Sequence, residues 1–415
     1  MRHLAAASLP LLLLALPCAA AAQQPPRPAA PLVLTHATVL DGVGDEPVRD
    51  ATVIVVGGKI ERVARGAVTP PAGARILDLG GRYLLPGFID AHAHVETLDG
   101  ARRALESGVT TIRSASVGAY QDVGLREMAR AGAIAGPEVL AAGVFVTPTL
   151  GETALADPRL APLAGGVTTP EQLRRLVRVN LDRGVDVIKT RGTERAGLPT
   201  TDPRKQVYTE TQLRAVVEEA ATRDVPVMAH AHGDEGAAAA VRAGVRSIEH
   251  GTYLSDSTLA LMKARGTYLV PTISTVVDLL TEENVVLRLR GPHMVPHLTS
   301  TVRRAHRLGV RIATGSDTDY GPTGTERIGE EVTRLVDAGL SPAEAIRSAT
   351  STAAELLRIE KRTGSIRPGL EADLIVVQDD PLADIRAVQD VLMVVSNGTV
   401  AMTRLPFALG EGARK

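Results

Sequence analysis

Asp90-Ala91-His92-Ala93-His94 closes the apolar run Tyr83-Leu84-Leu85-Pro86-Gly87-Phe88-Ile89. Such a run reads as a buried strand, and residues two apart on a strand share a face. His92 and His94 therefore present two imidazoles side by side at a strand's C-terminal end. Two neutral imidazoles converging on one point are the beginning of a transition-metal site. An isolated pair of this kind is ordinary on a protein surface, so its meaning depends on what else the chain brings to the same place.

Four more apolar runs end in residues of the same kind. Val185-Asp186-Val187-Ile188 ends in Lys189, and Val225 to Ala229 leads into His230-Ala231-His232-Gly233, a second H-x-H. Ser247-Ile248-Glu249 ends in His250, and Val310 to Thr314 leads through Gly315-Ser316 to Asp317. Each residue taken singly has a plain structural reading. Lys189 reads as a lysine snorkelling from a strand exit, His250 as a packed histidine, and Asp317 as a helix cap. Their joint occurrence, in order and on separate strand ends, points to a metal centre. Glu249 reads as a buttress for a ligand rather than a ligand itself. Arg191, just past Lys189, reads as a partner for a substrate carboxylate or as a surface salt bridge; Tyr253, three beyond His250, as a donor to a substrate carbonyl or as a packing residue; and His232 as a substrate contact if it is not a ligand. The runs ending at Ser116 and Thr147 offer no clear ligand. His293, His297 and His306 read as surface or lid residues.

The elements that must carry these residues alternate strand with helix. Strand-like runs fall at 83–94, 108–114, 137–143, 185–192, 225–233, 245–251, 267–273 and 310–318. Thr169 to Arg183 and Thr209 to Arg223 have amphipathic helical spacing, and Gly236 to Ala243 is a short alanine-rich stretch. Ser341-Pro342-Ala343-Glu344 opens a final helix running to Leu357. Eight β–α repeats predict a (β/α)8 TIM barrel, in which active-site residues sit at the strands' C-terminal ends. Both chain ends have a different texture. Leu32 to Leu40, Thr52 to Val56, Ala372 to Val377 and Val391 to Val395 alternate as strands, with Gly57-Gly58 and Asn397-Gly398 as hairpin turns. The expected organisation is an α/β barrel over 81–365 and a small β-sandwich domain composed of 32–80 and 366–405.

The chain has 415 residues, 44% of them hydrophobic, and a formal charge of −1, which gives no electrostatic footprint for nucleic acid. Aromatics are 2% with no Trp, so the core must be aliphatic, as in a parallel sheet. Arg2 and His3 precede the apolar stretch Leu9 to Leu16, and Ala20 and Ala22 fit a small-residue cleavage site before Gln23. Residues 1–22 thus read as a signal peptide and 23–31 as a flexible leader, implying a periplasmic or secreted protein with no stable membrane span. Cys18, the single cysteine, would leave with the signal, so the mature chain would hold no disulfide.

Taken together, Pro86-Gly87-Phe88-Ile89-Asp90-Ala91-His92-Ala93-His94, Val187-Ile188-Lys189, His230-Ala231-His232-Gly233, Ile248-Glu249-His250-Gly251, Gly315-Ser316-Asp317 and Gly364 to Val377 resemble the metal-dependent amidohydrolase superfamily. The resemblance is to its imidazolonepropionase-like and Xaa-Pro or Xaa-Arg dipeptidase branch, and it spans about residues 32 to 405. It implies two divalent metal ions, with zinc expected. His92, His94 and Asp317 would hold one and His230 and His250 the other, bridged by a carboxylated Lys189. His232 remains an alternative to His230. It also implies attack of a metal-activated hydroxide on the amide of a dipeptide or N-acyl amino acid, with Asp317 moving the proton. Competing readings are a mononuclear imidazolone hydrolase or deaminase, and a lactone or organophosphate ester hydrolase. A homo-oligomer is compatible with the sequence.

Overall fold

The computed structural model describes residues 30–322 and 327–406. The signal-peptide reading of 1–22 and nearly all of the leader lie outside the described residues. The chain opens with β1 (Leu32–Val39), β2 (Val48–Val56), β3 (Lys59–Arg65), β4 (Arg75–Asp78) and β5 (Tyr83–Pro86). The middle supplies β6 (Phe88–Ala93), β7 (Val109–Ser114), β8 (Glu138–Leu140), β9 (Ile188–Arg191), β10 (Val227–Ala231), β11 (Ser247–His250) and β12 (Tyr268–Val270). The chain returns to strands in β13 (Leu374–Val377), β14 (Val391–Ser396) and β15 (Thr399–Thr403).

The end strands form one mixed sheet in the order β15-β14-β13-β5-β1-β2-β3, with β4 beside β1. The strands expected to build a two-layered sandwich are thus hydrogen-bonded into a single eight-stranded sheet drawn from both chain ends. Its two hairpin turns are as expected. Gly57 and Gly58, and likewise Asn397 and Gly398, have positive φ, which the tight turn requires. The turns touch each other, so a Cβ on Gly398 would lie 2.6 Å from Gly58 Cα.

The apolar run 83–89 is not one strand. β5 belongs to the mixed sheet and β6 to a parallel one, and the chain passes between them at Gly87, whose N–H donates to Asp373 O at 2.8 Å. A Cβ on Gly87 would lie 2.3 Å from Thr110 Oγ1, so the crossing needs glycine.

The middle strands are all parallel, in the sheets β6-β7-β8 and β9-β10-β11-β12. Main-chain bonds connect them further. Val146 N–H donates to Lys189 O at 2.9 Å, Ala313 N–H to Leu269 O at 3.0 Å, and Ala91 N–H to Thr314 O at 3.0 Å. The expected eighth strand at 310–318 is a single bridge, Ile312 to Leu269, followed by irregular chain that stays bonded to β6.

Helices alternate with these strands. Pro170–Asp182 and Glu210–Ala221 begin at Thr169 and Thr209, each a capping box with Gln172 or Gln212. The alanine-rich stretch extends to Asp234–Ala243, and the polar stretch holding His293, His297 and His306 is one helix, Val285–Leu308. The helix expected from 341 to 357 is two helices, Pro342–Ser348 and Ser351–Leu357. It breaks because the carbonyls of Ser348 and Ala349 accept from Thr314 N–H and Ile89 N–H, and so are not free to continue a helix.

Asp373 sits in the chain that re-enters the mixed sheet, accepting from Thr363 Oγ1 and Asn397 N–H. Burial raises its carboxyl to about 6. The folded chain therefore holds this proton more tightly than the unfolded chain does. The stabilisation is present below about pH 4 and is lost as pH rises through about 6, with a magnitude on the order of 2–3 kcal/mol. Calorimetric unfolding of Asp373→Asn should show a smaller loss of stability than wild type across that interval. Equal losses in the two proteins would refute the burial account.

Candidate metal and active site

The residues expected at strand ends meet in one cavity of about 320 Å³. It is lined by His92, His94, Lys189, His230, His232, His250 and Asp317. The strand rule explains this, because parallel strands point all their C-terminal ends the same way. β6 is irregular where it matters: its register with β7 shifts between Asp90 and Ala93. The His92 and His94 rings lie 5.6 Å apart at 66° and do not stand parallel on one face.

Asp317 joins the two sides. Its Oδ1 lies 3.2 Å from His92 Nε2 and 3.0 Å from His94 Nε2, and its Oδ2 lies 3.9 Å from His250 Nδ1. Lys189 Nζ is 3.2 Å from His92 Nε2. The His230 and His250 rings are 4.5 Å apart, and His232 stacks on His250 at 4.6 Å and 16°. Among the described residues, two groups of donor atoms cluster closely enough to share a cation. One is His230, His232 and His250; the other is His92, His250 and Asp317.

Each ring is aimed by a partner on its outer side. His92 Nδ1 bonds Glu249 Oε2 at 2.7 Å, and His94 Nδ1 bonds Ser116 O at 2.7 Å. His232 Nδ1 meets Thr252 Oγ1 at 2.8 Å, and His250 Nδ1 meets Thr272 Oγ1 at 2.6 Å. His230 differs, because its Nε2 donates to Glu194 O at 3.0 Å and its Nδ1 is left for other contacts. Such outer bonds fix the ring's direction and its tautomer.

Burial sets the charge states. It holds His230 and His250 well below the usual imidazole range and His232 at about 3, so their lone pairs are available. Burial also pulls the Lys189 amine down to about 8, against the opposing charges of Glu249 and Asp317. For Glu249, burial opposes ionisation, but Arg113 and His92 outweigh it and hold the carboxyl at about 2. Burial likewise opposes ionisation of Asp317, and the surrounding imidazoles hold its carboxyl well below the usual range.

The backbone is strained at this place and close-packed around it. His250, Thr272, Ser116 and Asp317 have φ of 71°, 49°, 91° and 56°, a left-handed region costly for residues with a Cβ. A Cβ on Gly315 would lie 2.6 Å from His92 Cβ, so glycine lets the Asp317 segment approach β6.

Two of the expected substrate contacts stand at the margin of the cavity. Neither Arg191 nor Tyr253 lines the cavity. Arg191 stacks on Phe145, its guanidinium carbon 4.6 Å from the ring centre, and its buried Nε lacks a hydrogen-bond partner. Tyr253 lies in a neighbouring surface groove under Arg204 and beside His297. Glu249 is where the buttress reading put it.

Two structural residues escaped the sequence reading. Arg113, from the run that showed no ligand, donates Nη2 to both Glu249 oxygens at 3.1 Å and Nε to Ala91 O at 2.6 Å. Asp90 accepts from His92 N–H, Ser316 N–H, Ser316 Oγ and Tyr320 OH, and so ties β6 to the Asp317 segment. The signal for Asp90 was its place just ahead of the first H-x-H. Arg113 had no comparable signal, because its partner lies 136 residues away.

Neutral buried imidazoles, an ionised aspartate and a softened lysine at the ends of parallel strands define a metal-dependent hydrolase. The match to known proteins narrows the class: the chain belongs to the amidohydrolase family, whose model covers residues 83–401. Ochratoxinase from Aspergillus niger is 30% identical, over 87% of this chain and 84% of that protein. Imidazolonepropionase from Symbiobacterium thermophilum is 28% identical, over 83% and 85%. Among solved structures, a Xaa-Pro dipeptidase with bound methionine in its active site aligns with a TM-score of 0.82 at 29% identity, covering 89% of this chain and 99% of that one. The protein is a hydrolytic enzyme acting on carbon–nitrogen bonds. Among the described residues, no helix is long and apolar enough to cross a membrane.

Removing Arg113 would leave Glu249 as an uncompensated buried charge. Arg113→Met should lower the unfolding free energy in urea by about 3–5 kcal/mol, and adding Glu249→Leu should recover part of it. A loss that the second change deepens instead would show that the pair is not a unit.

Proposed function

We propose that the protein is an exported, binuclear metal-dependent amidohydrolase that cleaves the amide bond of dipeptides or N-acyl amino acids. The observation that carries this reading is Lys189, a buried amine within the imidazole cluster and drawn down to about 8. Unprotonated, its nitrogen lone pair can bond to the carbon of CO2. The amine proton leaves to solvent and an anionic carbamate remains. An ammonium has no lone pair and cannot ligate, whereas a carbamate offers two oxygens.

In this reading His92, His94 and Asp317 would hold one divalent ion and His230 and His250 the other, and a carboxylated Lys189 would offer its two oxygens to the pair. The donors fit: imidazoles kept neutral by burial, aspartate kept ionised, and outer partners already aiming each ring. Zinc suits such a set, which also accepts Mn, Co or Fe. Bound there, the ions supply Lewis acidity toward an amide carbonyl and toward a water.

The chain's own groups do the rest. Asp317 accepts the water's proton on its carboxylate and delivers it to the leaving amine nitrogen. His232, oriented by Thr252, presents Nε2 to the substrate carbonyl. Phe145, Val276 and Leu279 form the apolar wall that limits water. Arg191 and Tyr253 are given no substrate contact, since neither lines the cavity. The main-chain bonds that pass from β6 through each parallel element and back to β6 support a (β/α)8 barrel over 81–365, beside a sheet domain of 32–80 and 366–405. The apolar N-terminal stretch supports a periplasmic or secreted destination. The substrate is a small amide, and neither nucleic acid nor a membrane is a partner.

Elemental mass spectrometry of protein expressed with bicarbonate should find about two transition metals per chain. One per chain, with Lys189→Ala turning over normally, would favour the mononuclear imidazolone hydrolase or deaminase reading. Lys189→Ala should lose metal and cut turnover by roughly 10²–10³-fold or more. His230→Ala should lower metal content, whereas His232→Ala should keep it and lose catalytic efficiency. The reverse pattern would exchange their roles. Hydrolysis of lactones or phosphotriesters with no cleavage of amides would overturn the amide assignment.

A further inference from the structure

Arg195 lines the cavity beside His230 and His232, and it is an exposed residue. Its guanidinium makes no hydrogen bond or ion pair among the described residues. The neighbouring cations are all engaged. Lys205 pairs with Glu194 at 3.2 Å, Arg204 covers Tyr253, and Arg191 covers Phe145. Of the other charged groups lining the cavity, Lys189, Glu96 and Asp317, Lys189 is buried within the imidazole cluster and Glu96 follows His94 at the far strand end. Among the described residues Arg195 is thus the one exposed cation of the lining, and none of its five donors is engaged there.

The loop that carries Arg195 is held on both sides. The preceding carbonyl, Glu194 O, accepts from His230 Nε2 at 3.0 Å, which fixes Arg195 at a set offset from that histidine. Its own carbonyl accepts from Thr201 Oγ1 at 2.5 Å. Arg290, on the helix Val285–Leu308, then gathers the rest of the turn. It donates to Ala196 O at 2.6 Å, Leu198 O at 2.7 Å and Pro199 O at 3.4 Å, and also to Thr201 O. A guanidinium spent on carbonyls of one short loop serves to fix that loop.

We propose that Arg195 is the specificity residue that binds a carboxylate on the substrate, and that Arg290 is the positioning residue that holds Arg195 over the site. The inference rests on the amide-hydrolase reading and sharpens it. The favoured substrate carries its carboxylate on the leaving amine, as dipeptides and N-acyl amino acids do, and neutral amides are poor substrates. A planar fork and a carboxylate pair bidentately, and a prefixed loop spares the cost of ordering it on binding.

The test uses the metal-loaded enzyme and a panel of N-acetyl-L-amino acids and dipeptides, each paired with its C-terminal carboxamide. Wild type should prefer the acid by about 10–100-fold in kcat/KM, as expected for a charged hydrogen bond. Arg195→Met should erase that preference through KM, with the carboxamides changing less than about threefold and metal content kept. Arg195→Lys should restore part of the preference. Arg290→Met should raise KM for the acids with kcat nearly intact. Equal losses on acid and carboxamide, or an Arg195→Met enzyme that still prefers acids, would overturn the assignment while leaving the amide-hydrolase reading standing. Failure of wild type to cleave either member of any pair, with metal bound, would overturn both.

Discussion

A buried carboxylate governs the centre of this protein. Glu249 has no exposed surface, yet it is held ionised by Arg113 from β7 and by the ring of His92 from β6. A lone buried charge would be among the most costly features a core can hold, so the three groups stand or fall together. Their bonding decides which nitrogen of His92 faces the cavity, and Asp317 and Lys189 both lie within hydrogen-bond reach of that nitrogen. The orientation of the first histidine, and with it the nitrogen that Asp317 and Lys189 approach, follows from one ion pair behind the site.

The same logic recurs around the cavity at smaller scale. Each inward ring has an outward partner, and those partners come from loops: Ser116, Glu194, Thr252 and Thr272. Two of these positions, Ser116 and Thr272, have left-handed backbone, which an isolated peptide would avoid. The surrounding bonds keep it there. Ile273 and Ser274 N–H both donate to the buried Glu331, which steadies the turn that carries Thr272 and, through it, His250. The result is a rigid set of neutral donors around an ionised acid, the condition for binding cations without prior rearrangement.

The mixed sheet at the chain ends is tied to this centre through the chain's own path. β5 belongs to that sheet, and two residues later β6 begins toward His92. Gly87 allows the crossing by leaving room for Thr110. The C-terminal helices contribute too, since the carbonyls of Ser348 and Ala349 hold the Thr314 segment and the start of β6. Residues far apart in sequence thus align the two elements that carry His92, His94 and Asp317.

Strand-end chemistry was readable from residues alone, because side-chain alternation and the common direction of parallel strands are local rules. They pointed His92, His94, Lys189, His230, His250 and Asp317 toward one site and gave the α/β class, while the motifs those residues stand in carried the family resemblance. Amphipathic spacing marked the helices at 169–183 and 209–223 for the same reason, being a pattern within one element. The tertiary structure decided whatever depends on distant partners. It split the 83–89 run and the 341–357 helix, joined the end strands into one sheet, turned His230 toward Glu194, and put Arg195 at the cavity in place of Arg191. It also revealed Arg113, whose importance lies wholly in a carboxylate more than a hundred residues onward. Periodicity reports which way a side chain points from its own element, but a hydrogen bond across the core exists only once both elements have been placed.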